Sequence, residues 1–380
     1  MNRFHLEIQY VPESVTLLNI VAQPAPYITN YMNYMASRYG MTPDERANKV
    51  VALLQEIEDA ARAEFAKDLE TVKFYCDADS EYGKIDSFAN MLVLSGGVCD
   101  YHHRTVKEQA EFLEQLTEQE YLTSFYEILK AYRSSTSDVS SNDTETVTDI
   151  FDLIVQLNET DARKLHLQQL FLHHKEHQKT LLGLMLRAEK ILKKYEKKLQ
   201  AFGEEVIAYA KEELQGQSIA GFVIQEFYNG AKLPFADKDC DVYVSYLRAN
   251  IMGFFFRGEK IEETKLTCYL GVIFSKNVSF RTLMSQRASI TEEKALAMLK
   301  LLADKSKFQI LSATVDTPAY GSELANMLGL TTATISHHTT ALLDQNLLSL
   351  EKVDTKIYYR TNPVMIRALI QYLQDTLLHE

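Results

Sequence analysis

Polar and apolar positions alternate along this chain first with the period of a strand, and then mostly with that of a helix. Phe4, Leu6, Ile8 and Tyr10 interleave with His5, Glu7 and Gln9, which predicts a half-buried strand ended by Pro12. Helical spacing dominates residues 12–215. Thr42-Pro43-Asp44 predicts a cap with Pro at the first helical position. The helix it opens runs towards Phe74, with Val50, Leu53, Leu54 and Ile57 on one side. A second helical stretch runs from Val106 to Tyr132, and the polar, unpatterned stretch from Ser134 to Asp143 predicts a surface loop. Helical spacing returns from Glu159 to Leu199. Residues 219–280 turn strand-rich: Asp241–Arg248, Ile251–Arg257 and Leu266–Phe274 are β-branched and aromatic, separated by short polar turns, as antiparallel strands would be. The first strand is expected to join this sheet and close residues 1–285 into one α+β unit. The fold class expected is therefore mainly α with a smaller antiparallel β portion.

The last segment, 290–380, carries the most specific pattern. Thr291 can cap a helix with Glu292 and Glu293 in its first turn and an apolar stripe of Leu296, Leu299 and Leu302. A second helix carries Phe308, Ile310 and Leu311. Ser322–Leu328 is a short helix, and Gly329 supplies a positive-φ turn into a further helix capped by Thr331. At about 100° per residue, Ile335, Thr339 and Leu342 fall on one side of that helix. Ala333, His337 and Thr340 fall on the other, flanked by Thr334 and Ser336. The outward side is small, polar and almost free of negative charge. Such a face can enter a DNA major groove, where short hydroxyl and imidazole groups reach base edges. Leu348–Lys352 and Lys356–Arg360 read as a two-stranded hairpin around 353–355, and Asn362-Pro363 starts a final helix with Ile366, Leu369, Ile370, Leu373 and Leu377.

Composition narrows the classes. Hydrophobic residues make up 46% of the 380 and charged residues 24%, which excludes a disordered or fibrous chain. Lys and Arg number 40 against 52 Asp and Glu, a net charge of −12, so any nucleic-acid contact must rest on a local surface. Within 290–380 the count is 8 Lys and Arg against 10 Asp and Glu. Strong salt sensitivity is expected, with a dimer doubling the contacts. Cys76, Cys99, Cys240 and Cys268 are dispersed and form no Cys-x-x-Cys pair, which favours reduced core thiols. No secretory signal or membrane-length apolar run is evident, and a cytoplasmic location is expected.

The stretch Leu301–Leu311, with Ser322-Glu323-Leu324-Ala325, Leu328-Gly329-Leu330, Thr334-Ile335-Ser336-His337-His338 and Ile357-Tyr358-Tyr359-Arg360, resembles the winged helix-turn-helix of ArsR-type transcription regulators. The resemblance covers residues 290–380, and Lys305-Ser306-Lys307 departs from the family's usual Pro-Thr-Arg. It implies a homodimeric repressor on a palindromic operator. Base contacts would come from Thr332, Ala333, Ser336, His337 and Thr340, and backbone contacts from Thr331, His338, Lys352, Lys356, Tyr358 and Arg360. In the family's manner Leu296, Leu299, Leu369 and Leu373 would pack across the dimer axis. Metal-sensing members carry a Cys pair before the recognition helix. Ser322–Leu328 has none, and Asp375, His379 and Glu380 lack the usual second pair on the final helix. No metal or cofactor is expected.

Residues 1–285 are then expected to sense a signal or mediate dimerisation, with a small-molecule effector among the Tyr and Phe residues of 240–275. His166, His173, His174 and His177 cluster on one predicted helix but lack a carboxylate or thiol fixed by spacing, so a solvated or structural role is favoured over a metal. Cys99-Asp100-Tyr101-His102-His103 holds ligand types whose adjacency prevents all facing one ion. The run from Lys190 to Lys198 reads as a solvated face or a DNA-flank contact, and Gly96-Gly97 as a turn. No catalytic constellation is tied together by spacing, so no enzyme is expected. Two alternatives remain: an enzyme with an accessory winged helix, or an interaction adaptor without DNA binding.

Overall fold

A computed structural model describes residues 2–39, 44–76, 87–94, 101–136, 150–157, 159–227, 238–257, 265–279, 292–315, 317–353 and 356–378. The chain is mainly α with small sheets and divides into two compact units, 1–131 with 159–283 and 132–158 with 284–380.

The first unit is built on helices α1 (Tyr10–Ala22), α2 (Tyr27–Tyr39), α3 (Glu45–Phe65), α4 (Leu69–Cys76), α5 (Val106–Gln115), α8 (Asp161–Leu172), α9 (His174–Leu214) and α10 (Ile219–Phe227). Helix α6 (Glu118–Thr136) begins in this unit, and α7 (Ile150–Gln156) belongs to the second. The expected first strand is shorter than the alternation suggests. β1 spans Asn2–His5, and Tyr10 already starts α1. Pro12 does not stop a strand; it sits in the first turn of α1. The first intrahelical donor is the Glu13 N–H, bonded to the Gln9 carbonyl at 3.0 Å, so the proline removes no hydrogen bond.

The sheet formed by β1, β2 (Cys240–Ser245), β4 (Lys265–Gly271) and β3 (Met252–Arg257) has the order β1-β2-β4-β3. β1 does join it, but the antiparallel expectation fails for most of it. β1–β2 and β2–β4 are parallel, and only β3–β4 is antiparallel. Strand composition does not encode direction. The β1 pairing spans over two hundred residues and the β2–β4 pairing steps over β3. Residues 219–227, expected to be strand-rich, form α10, because Ile219, Ala220, Phe222 and Val223 bury one helical face.

Other boundaries move for local reasons. Asp44, not Thr42, caps α3, its carboxylate accepting the Ala47 N–H at 2.7 Å. The stretch 106–132 divides at 116–117, where Thr117 and Glu120 cap α6 reciprocally. Helix α6 continues to Thr136, past the expected start of the loop; residues 137–143 lie outside the described residues, as do Thr291, Gly96-Gly97 and Cys99-Asp100. His173 separates α8 from α9, which runs on to Leu214.

Helix α1 packs against α9, α3 and α4. It is tied to the end of β2 by Glu13, a buried carboxyl group whose oxygens accept the N–H groups of Tyr246 at 2.8 Å and Leu247 at 3.0 Å and the Ser245 hydroxyl at 3.3 Å. Burial pushes its pKa up, opposed by those hydrogen bonds. Cys76, Cys240 and Cys268 are buried free thiols; burial raises the pKa of Cys240 to about 12. Among the described residues no helix is long and apolar enough to cross a membrane.

The second unit carries α11 (Glu292–Leu302), α12 (Lys305–Ala313), β5 (Ala319–Tyr320), α13 (Gly321–Leu328), α14 (Thr332–Asp344), β6 (Leu348–Val353), β7 (Lys356–Thr361) and α15 (Pro363–Leu373). Three antiparallel strands take the order β5-β7-β6. This is a helix-turn-helix followed by a two-stranded wing. Met298, Ile310, Leu324, Ile335, Leu342, Leu347 and Leu369 form its core.

Candidate nucleic-acid interface

The turn between α13 and α14 follows from one residue. Gly329 adopts φ +66°, a left-handed conformation that residues with a side chain resist, and its N–H closes α13 on the Ala325 carbonyl. Thr331 then caps α14: its hydroxyl accepts the Thr334 N–H at 3.1 Å and lies 2.8 Å from the Thr334 hydroxyl. That hydroxyl is committed to the cap.

Helix α14 divides into two sides. Ile335, Thr339 and Leu342 are buried, with the Thr339 hydroxyl donating to the Ser336 carbonyl at 3.1 Å. Thr332, Ala333, His337 and Thr340 are exposed, and Ser336 is half-buried. The exposed side holds no acid until Asp344 at the C-terminus, and the first turn holds none at all, whereas α11 and α13 carry acids in theirs. His338 departs from the backbone-contact expectation. It is half-buried, with Nδ1 enclosed and without a hydrogen-bond partner among the described residues. Burial lowers its pKa, and the Lys307 charge lowers it further. The charges acting on it include Lys307 and Asp304 at the start of α12.

In the wing, β6 and β7 pair from Leu348–Thr361 to Val353–Lys356, so Val353 belongs to a strand, not to the turn. Tyr358 is half-buried with its ring edge-on to Tyr320 at 5.7 Å, which ties it to the sheet. Arg360 is half-buried on β7, its carbonyl accepting the Ser349 hydroxyl. Lys352 and Lys356 lie on the paired strands, but their side chains fall outside the described residues.

The expected dimer residues separate. Leu296 is 52% exposed and Leu299 36%. The inward residues of α11 are instead Ala295 and Met298, which corrects the stripe read from the sequence. Leu369 is only 3% exposed and belongs to the protomer's own core, while Leu373 is half-buried against it. Ile370, Leu377 and Leu378 are exposed aliphatic residues on the last helical segment, and α11 packs on α15. Phe308 on α12 is 55% exposed, whereas Ile310 and Leu311 are buried.

The histidines of 166–177 act as packing groups. His166 and His177 lie against Phe74 at 5.2 and 5.6 Å, and His177 Nδ1 bonds the Tyr75 hydroxyl at 2.8 Å. His173 joins α8 to α9, and buried His174 stacks on Tyr121 at 3.8 Å. Lys190, Lys193, Lys194, Lys197 and Lys198 lie along α9, Lys193 paired with Glu189 and Lys198 with Glu56. Of the aromatics expected to line an effector pocket, Tyr246 and Phe274 are fully buried. Tyr243 and Tyr269 pack against His102. Sequence spacing did not reveal that His5, Glu7 and His103, nearly a hundred residues apart, come together.

No protein-family model and no curated protein matches the chain. Among solved structures it is similar over a short span to reduced HlyU from Vibrio cholerae N16961, at 26% identity, covering 22% of this chain and 90% of that one, with a TM-score of 0.19. NolR from Sinorhizobium fredii matches at 29% identity over 22% of this chain and 85% of that one, TM-score 0.19. The homodimeric winged helix-turn-helix DNA-binding domain of Mb0332 from Mycobacterium bovis, described as a possible ArsR-family regulator, matches at 25% identity, 23% and 85% coverage, and TM-score 0.19.

Proposed function

We propose that this protein is a sequence-specific DNA-binding transcription regulator of the ArsR type, acting as a homodimeric repressor on a palindromic operator. One observation carries the reading: the exposed side of α14 bears Thr332, Ala333, His337 and Thr340, small and uncharged, while the opposite side is locked into the core. A helix face that only meets water ordinarily carries Glu and Lys. One that enters a major groove needs short donors and acceptors and no carboxylates facing the phosphates. The acid-free N-terminus of α14 favours a phosphate at the positive end of its dipole. The wing cations Lys352, Lys356 and Arg360 would track the backbone beside it.

The dimer would form through the exposed Leu296, Leu299 and Ile370, an apolar face that water alone would leave unfavourably solvated. Leu369 takes no part, being internal. The unit formed by 1–131 and 159–283 would bias the reader in response to a signal. The test is a gel shift on the gene's own upstream duplex with an excess of random competitor, repeated after deletion of residues 290–380. A discrete complex that survives competitor and disappears with the deletion supports the reading. A complex equally sensitive to any duplex, or independent of 290–380, refutes it.

A further inference from the structure

In the first unit the parallel register of β1 on β2 sets Arg3 beside Asp241 and His5 beside Tyr243. His5 stacks on the Tyr243 ring at 4.5 Å, and its Nε2 lies 2.9 Å from Asp241 Oδ1. Asp241 is in turn clamped by two bonds from the Arg3 guanidinium, at 2.8 and 3.0 Å. A neutral His5 donating Nε2–H to that carboxylate keeps its Nδ1 lone pair free, and this atom faces Glu7 Oε1 at 3.7 Å. On the other side of Glu7, His103 Nδ1 approaches the same oxygen at 2.8 Å, while its Nε2 contacts the Tyr243 hydroxyl at 3.2 Å.

The segment bearing His103 is held for this placement. His103 has φ +63°, a left-handed backbone uncommon outside glycine, and its N–H donates to Gln9 Oε1 at 2.9 Å. Buried Gln9 also donates to the Glu7 carbonyl at 3.1 Å, so one side chain fixes both the loop with Glu7 and the turn with His103. Adjacent His102 points elsewhere, to the Tyr269 hydroxyl at 2.7 Å.

We propose that His5, Glu7 and His103 form a binding site for a divalent first-row transition metal ion of the zinc type. The three ligand atoms lie within 4.8 Å of one another. Ligands about 2.0–2.2 Å from a tetrahedral ion stand roughly 3.4 Å apart, so the observed 2.8 and 3.7 Å separations need only small rotamer shifts to admit one. Two imidazoles and one carboxylate suit zinc, cobalt or iron(II) rather than calcium or magnesium, which take oxygen ligands. The far nitrogens of both histidines are anchored to Asp241 and Tyr243, the outer hydrogen bonding that orients metal-bound imidazoles. Glu7 and His103 are about half exposed, at 51% and 47%, so a fourth position is open to water or a small exogenous ligand. All contributors lie within one compact unit, and the site stands independently of the DNA-binding reading.

The full chain, stripped with chelator and dialysed, would be titrated with Co2+ while the visible d–d absorption is followed, then back-titrated with Zn2+. One equivalent of Co2+ per chain is expected, with the strong bands of a four- or five-coordinate site, displaced by Zn2+. His103→Asn, which tolerates the left-handed backbone, should abolish those bands with unchanged far-UV circular dichroism and melting. Asp241→Asn should retain the stoichiometry but weaken binding by about 10- to 100-fold, and His102→Gln should bind as wild type. The proposal is overturned if wild-type protein shows only weak octahedral bands, or if folded His103→Asn takes up Co2+ with the wild-type spectrum and affinity.

Discussion

Replacing His337 by Ala separates a base-reading helix from one that merely looks outward. The imidazole is exposed, its ring 5.9 Å from that of His338, and it stands outside the core cluster. Its removal opens no cavity, and the melting temperature should correspond to a change within about 0.5 kcal/mol of wild type. If the ring contacts a base edge, each half-site loses about 1–3 kcal/mol, or roughly 5- to 150-fold. A symmetric dimer on a two-fold operator loses about twice that free energy. Non-specific binding, which rests on phosphates, should not change. Lys356→Ala is the matched control. It should weaken binding on every sequence and lower the slope of log affinity against log salt by about 0.9 per protomer for each phosphate left without its cation. Fluorescence anisotropy on an operator selected from a random duplex pool, and on a scrambled duplex, at several salt concentrations reads both effects. Proportionate weakening on both duplexes for His337→Ala, or unchanged binding to the selected operator, would show that α14 does not read bases.

Leu296→Arg with Leu299→Arg should yield a folded monomer by light scattering, because both side chains are exposed; a dimer that persists would move the interface elsewhere. Leu369→Ala should instead destabilise the second unit by about 2–5 kcal/mol, read by denaturant unfolding, since that side chain fills the protomer's own core. Gly329→Ala forces a methyl-bearing residue to φ +66° with no atom of the described residues, its chain neighbours aside, within 4 Å of the new Cβ, so the cost is backbone strain, about 1–2 kcal/mol, and Asn should be better tolerated there. Glu13 tests linkage. Its folded pKa is raised by burial, so the folded chain keeps a proton that the unfolded chain has already released, and this group's stabilising contribution is largest below the unfolded value of about 4.3 and declines as pH rises towards the folded value. Glu13→Gln should remove that decline when unfolding is compared across about pH 4–7, the range above the unfolded value; identical pH profiles would contradict it.

Much of the second unit was legible because its determinants are local. A single positive-φ glycine, a threonine cap, a proline at the start of the last helix and a 3.6-residue apolar period each act within a few residues of themselves. The choice between the two apolar sides of α11 was not legible: Ala295 and Met298 satisfy helical spacing as well as Leu296 and Leu299 do, and only the surrounding helices decide which pair is covered. Leu369, expected across the dimer axis, is taken into the protomer's own core for the same reason.

In the first unit, sequence determined that helices and aromatic strands would form, since hydrophobic period and cap chemistry are written residue by residue. Strand direction, the parallel seat of β1 on β2, and the meeting of His5 and Glu7 with His103 were decided only by the tertiary structure. Those outcomes depend on contacts between segments from about twenty to more than two hundred residues apart, whose energies no local spacing records.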